Sequence, residues 1–173
     1  MFTNRARILV IGAFVIMMAV ALTYKVYEIF GVTAMFILLL IWGYFKEGTV
    51  VLAAKAFHNK DYDKAEGLLK QVSNADWLSK KRRGFYEFIY GGVCLQKNDY
   101  NEAEKHYEIA AQYPLRSAND HVAALVHVAN ISIRHNDFAK AKAYLSLADK
   151  HEEKITAKMK EVIRRLHLEL DKK

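Results

Sequence analysis

The chain has 173 residues, 53% of them hydrophobic, with one Pro, eight Gly and one Cys. That is room for one domain or a small domain with an appendage, and it excludes a disordered or collagen-like chain. A single cysteine excludes an internal disulfide framework and a cysteine-only zinc site. The formal net charge is +7 and the mean hydropathy −0.06. That average conceals two unlike parts. Residues 1–45 hold only Arg5, Arg7, Lys25 and Glu28 as charged residues, and the rest of the chain is densely charged and basic.

Two uncharged runs of 17 residues come first, Ile8 to Tyr24 and Ile29 to Phe45. As helices each covers about 26 Å, near the lower limit for a membrane span. Only Lys25 to Glu28 separate them, which suits a tight turn between antiparallel helices. Tyr24, Tyr27, Trp42, Tyr44 and Phe45 sit at the ends, where interfacial aromatics gather. Residues 1–45 therefore read as a two-span transmembrane hairpin anchor. The rivals are a buried soluble hairpin and a cleaved signal peptide. Ala19-Val20-Ala21 mimics a cleavage site, but the apolar run continues past it to Tyr24. Arg5 and Arg7 before the first run, and Lys46, Lys55 and Lys60 after the second, place both termini and the body in the cytoplasm. Neither run carries Asp, Glu, Lys, Arg or His, so the hairpin reads as an anchor and not a transporter. Gly12 and Gly43 are expected where the two helices pack closely. With no Pro from Ile29 to His58, the second run and the next helix are expected to be one continuous or nearly continuous helix, with a weak point at Gly48-Thr49-Val50 where a kink could fall.

The body repeats. DYDKAEGLL from Asp61, DYNEAEKHY from Asp99 and DFAKAKAYL from Asp137 align without gaps at a constant spacing of 38 residues. Each Asp follows a short polar turn and can cap the next helix. Small residues recur in phase: Ala53, Gly91 and Ala129 on the preceding helix, then Ala65, Ala103 and Ala141. Leu69, Tyr107 and Leu145 follow, then Val72, Ala110 and Ala148. Small side chains where two helices cross, with large ones at the next turn, describe a helix pair that must stack on its neighbours.

This pattern resembles the tetratricopeptide repeat (TPR). The resemblance runs from about Lys46 to Ala148 and implies three helix pairs over residues 46–150. It departs from the family in three places. Thr49, Glu87 and Leu125 occupy the usual Trp position. Pro114 is the lone trace of the terminal Pro. The 38-residue spacing exceeds the family's 34, which points to longer second helices or linkers. Ile155, Met159, Val162, Ile163, Leu166 and Leu170 form one apolar helical face, so residues 151–173 read as a capping helix. The whole is all-α: a transmembrane hairpin, then a solenoid of three TPR-like pairs with a cap. Two apolar N-terminal helices before such repeats also resemble bacterial membrane-anchored TPR proteins, which implies the inner (plasma) membrane.

Catalytic chemistry is absent from the pattern. Cys94 lies in an apolar helix without a partner base, the seven histidines form no metal-binding pair, and no Gly-rich phosphate loop occurs. No enzyme activity, metal, cofactor or small-molecule substrate is expected. Lys80-Lys81-Arg82-Arg83 is the densest charge cluster, a candidate contact for acidic lipid or an acidic partner. Mixed surface charge elsewhere argues against nucleic acid. The TPR resemblance implies a groove along the first helices, lined by Glu47, Val50, Ala54 and Phe57, by Phe85, Phe88, Gly92 and Leu95, and by Ala123, Val126, Asn130 and Ile133. The family's peptide-carboxylate clamp is poorly matched: only Asn130 fits, and Val50, Phe88 and Val126 stand at its Lys positions. An apolar, aromatic groove suits a protein partner's helix or peptide. The implied function is a membrane-anchored scaffold at the cytoplasmic face, or a structural or assembly subunit packing through its hairpin.

Overall fold

A computed structural model describes residues 4–47 and 49–172. They form nine helices and no strand: α1 (Asn4–Thr23), α2 (Tyr27–Glu47), α3 (Val50–His58), α4 (Tyr62–Leu69), α5 (Lys80–Gln96), α6 (Tyr100–Ala111), α7 (Ala118–Arg134), α8 (Phe138–Asp149) and α9 (Ala157–Leu170). The side chains of Arg5, Arg7, Tyr44, Phe45, Lys46 and Glu47 lie outside the described residues. So does Gly48.

Helices α1 and α2 turn back on each other at Lys25, which has φ 57°, and pack along their lengths. Phe14 and Phe36 stack across the interface at 5.9 Å. Ala21 and Thr33 are buried between them, and the Thr33 hydroxyl donates to Ile29 O at 2.6 Å. Two expectations need correction here. Among the described residues no helix is long and apolar enough to cross a membrane. Gly12 and Gly43 are not close-packing points: among the described residues nothing lies within 4 Å of where their Cβ atoms would stand. The second run meets the repeats at the expected weak point. Helix α2 ends at Glu47, Thr49 leaves helical geometry with ψ 9°, and α3 starts at Val50.

The body is a row of helix pairs, α3–α4, α5–α6 and α7–α8, closed by α9 against α7 and α8. One junction is built three times. Asp61, Asp99 and Asp137 each cap the second helix, accepting from the backbone N–H of Lys64, Glu102 and Lys140 at 3.3, 3.2 and 3.0 Å. Just before them Lys60, Asn98 and Asn136 adopt left-handed geometry at φ 61°. The Asp N–H then reaches back to Ala56, Cys94 and Ser132 O at 2.9–3.0 Å, closing the end of the first helix. Asn tolerates that backbone; Lys does not favour it. Lys60→Gly is therefore expected to stabilise the chain by about 0.5–1 kcal/mol in chemical denaturation, whereas Asn98→Ala should destabilise it by about the same.

The phased small residues sit at the crossings: Ala53, Ala65, Ala103, Ala129 and Ala141 are wholly buried. Gly91 lies against the Tyr107 ring, where a Cβ would stand 3.1 Å from it. Ala103→Leu should cost about 1–3 kcal/mol by overpacking, and an unchanged melting temperature would show that the crossing has room to spare. The added length per repeat falls in the first helices and linkers. Helices α5 and α7 have 17 residues against 12 in α6 and α8, so the second helices are not the long ones. On α9, Ile163 and Leu166 are buried, and Ile155, Met159, Val162 and Leu170 pack around them against the last pair.

Candidate docking cleft

Helical spacing brings Val51, Ala54, Lys55 and His58 to one face of α3, and Lys81, Arg82 and Phe85 to one face of α5. Between these faces opens a cleft of about 710 Å³, whose wall is completed by Leu115 and Arg116 from the loop between α6 and α7. Its floor is apolar, from Val51, Ala54, Phe85 and Leu115. Its polar rim is basic, from Lys55, His58, Lys81, Arg82 and Arg116. No Asp or Glu of the described residues lines it.

The run Lys80-Lys81-Arg82-Arg83 is divided by the helix it begins. Lys81 and Arg82 face the cleft, and Lys80 is exposed. Arg83 turns inward, 2.8 Å from Glu87 and 2.7 Å from Asp76. Its role is structural. Four cations in the first turn oppose the helix dipole, and Ser79 supplies no side-chain cap to offset them.

Of the groove residues, Phe85 lines the cleft. Val50, Val126 and Ile133 are buried in the helix packing: Val50 lies in the core shared by α3, α4 and α5, and Val126 and Ile133 lie in the core shared with α8 and α9. Phe57 is half-buried, and its ring fills the space where a Cβ at Gly92 would stand, 2.7 Å away. Phe88 packs edge-on to Tyr107 at 5.6 Å. Leu95 packs against the middle core, and Asn130 is half-buried on α7. Of the two other lining positions near the start, Ala54 is in the cleft floor and Glu47 falls outside the described side chains. Of the expected groove positions, Ala54 and Phe85 thus line this cleft between the first two pairs.

Three arrangements went unread in the sequence. Glu87, 2% exposed, holds Arg83 on one carboxylate oxygen and His106 Nδ1 on the other, at 2.5 Å. His106 in turn stacks on Tyr90 at 4.3 Å. The hint was a charge at 87, in phase with Leu125. The second is a ladder from Phe88 through Tyr107 to His127, whose ring stacks on Tyr107 at 4.5 Å. Burial pulls the His127 imidazole down to about 4. Between pairs, Glu104 on α6 accepts from Ser132 at 2.7 Å and meets Lys140 at 2.9 Å. Burial raises its pKa, but these partners outweigh burial and hold it below the usual range.

Burial pushes the Cys94 thiol up to about 11, so it is a poor nucleophile at neutral pH. Among the described residues no group of three or more His, Cys, Asp or Glu could hold a metal ion.

Stacked helix pairs with capped Asp turns and small residues at every crossing define a TPR-type helical repeat. Residues 38–163, well over half of the chain, match the family described as the SusR N-terminal TPR domain, and the chain belongs to that family. A comparison with curated proteins and one with solved structures found no match. TPR domains are generally non-catalytic and bind protein partners.

Proposed function

We propose that this chain is a scaffold held at a membrane by its N-terminal hairpin and that it docks a protein partner in the cleft between α3 and α5. The observation that carries the membrane half of this reading is the surface of the hairpin. Ile8, Leu9 and Leu38 are 69%, 75% and 67% exposed, and Ile16, Val32, Phe36 and Leu39 are exposed around them. A face this apolar needs a cover. Lipid supplies one without a second protein, and a hairpin seated in the bilayer returns both of its ends to one side. Arg5, Arg7 and Lys46 at those ends favour the cytoplasmic side of a bacterial inner membrane. The partner half rests on the TPR class and on the cleft.

The alternative is a structural or assembly subunit whose hairpin packs against the spans of other proteins. The same exposed faces favour it, and a stoichiometric membrane partner retained through residues 1–45 in mild detergent would select it.

Topology is tested with a cysteine added at the C-terminus of a Cys94→Ser chain. The protein is expected in the membrane pellet after an alkaline wash, unlabelled by an impermeant maleimide in intact cells and labelled once the cells are permeabilised. Labelling in intact cells would reverse the orientation. Release by the alkaline wash would remove the anchor.

A further inference from the structure

We propose that the cleft between α3 and α5 takes an acidic amphipathic segment of a partner protein, whose carboxylates meet Lys55, Lys81 and Arg116 while an apolar side chain seats on Phe85. This assigns a chemical class to the partner, and it rests on the scaffold reading above.

Three observations carry it. First, the charge in the cleft has one sign: four permanent cations line it and no carboxylate of the described residues does. Second, three of these cations, Lys55, Lys81 and Arg116, are left without counter-charges where their neighbours are not. Arg83 is tied to Glu87 and Asp76, Lys97 to Asp63 and Glu66, and Lys140 to Glu104 and Glu108. Among the described residues Lys55, Lys81 and Arg116 have no acidic partner. Third, Lys81 stands in the first turn of α5, where a cation opposes the helix dipole. A Glu or Asp there would serve the fold better, so the fold does not account for the lysine.

The shape favours a polypeptide over a lipid headgroup. The cations come from α3, from α5 and from the loop after α6, spread along a cleft of about 710 Å³ with an apolar floor. That arrangement suits carboxylates at intervals beside an apolar anchor. A single phosphate would engage one end of it.

The test uses the full chain in mild detergent and a fluorescein-labelled helical peptide with Leu at i and i+4 flanked by Glu. Anisotropy should report saturable binding that weakens as salt is raised. Lys81→Glu should weaken it by at least about tenfold, with a melting temperature unchanged or higher because the new carboxylate suits the helix start. Phe85→Ala should weaken it several-fold and leave its salt dependence intact. If the peptide with Gln in place of Glu binds as tightly, the acidic assignment fails and the scaffold reading stands. If neither peptide binds, both fail. If a soluble short-chain phosphatidylglycerol displaces the peptide at lower concentration than unlabelled peptide does, the occupant is a headgroup and the proposal is overturned.

Discussion

Glu87→Ala is expected to destabilise the chain by about 3 kcal/mol, the low end of the range for removing one partner from a buried ion pair. The carboxylate is almost wholly buried between Arg83 and His106, which are themselves only 15% and 19% exposed in their side chains. Taking it away leaves a guanidinium and an imidazole facing each other across a void. Arg83 keeps Asp76, 2.7 Å away, which is why the loss stops near the low end. Glu87→Leu should be milder than Ala. Leu fills the space, and the third pair carries Leu125 at the equivalent position, 3% exposed. Urea denaturation of the three proteins checks the order. A loss under about 1 kcal/mol for Ala would show that the carboxylate does not hold the second pair together.

The three residues at that position explain what the sequence exposes and what it hides. Thr49, Glu87 and Leu125 share a phase, so their equivalent placement in the three pairs is legible from spacing alone, although Thr49 stands just before α3 while Glu87 and Leu125 lie within α5 and α7. Their chemistry is not. The Thr49 hydroxyl donates to Leu68 O at the end of α4, Glu87 finds His106, and Leu125 is simply packed. Each choice depends on what the opposite helix offers, and periodicity carries no information about that. The Asp turns are the reverse case. Cap, left-handed residue and helix end all lie within a few residues, so local chemistry dictates them, and Asp61, Asp99 and Asp137 could be read directly.

The cleft falls between these extremes. Phase transfer led to Phe85, yet it also led to Val50, Val126 and Ile133, which are buried against neighbouring helices, the last two in a core shared with the cap helix α9. Which face of a first helix a neighbour covers depends on the partner helices, so no single position announces it. Leu115 and Arg116 were invisible for a different reason. They sit in a loop between pairs, outside the repeating unit, and reach the cleft only through the stacking of α5 on α6. The basic run was legible as charge, but its division into two cleft residues and one interior residue required the helix phase of Arg83 relative to Glu87. At the hairpin, hydropathy announced an apolar element, and its two runs form two helices packed along each other.

Lowering the pH from 7 to 5 is expected to remove about 2 kcal/mol of stability through His127 alone. Its ring is largely buried against Tyr107 and Phe88, and burial pulls its pKa to about 4 from the usual 6.5. An unfolded chain takes up this proton as the pH falls past 6.5, whereas the folded chain resists until about pH 4. The proton therefore favours the unfolded state throughout that window. The contribution is fully present above about pH 6.5 and lost progressively down to about pH 4, at about 1.4 kcal/mol per unit. Other groups tilt the curve as well. His121 is lowered by burial and then by His151, so it acts in the same direction. Glu104 and Glu66, held below the usual carboxylate range by their lysine and hydroxyl partners despite burial, add their losses at lower pH. His127→Phe separates the terms. A Phe ring keeps the stack on Tyr107 and takes up no proton, so the variant should match or exceed the parent at pH 5 while losing little at pH 7. The measurement is the urea midpoint of both proteins at the two pH values. Equal losses in parent and variant would show that His127 is protonated freely in the folded chain and that the ladder between the second and third pairs is open to water.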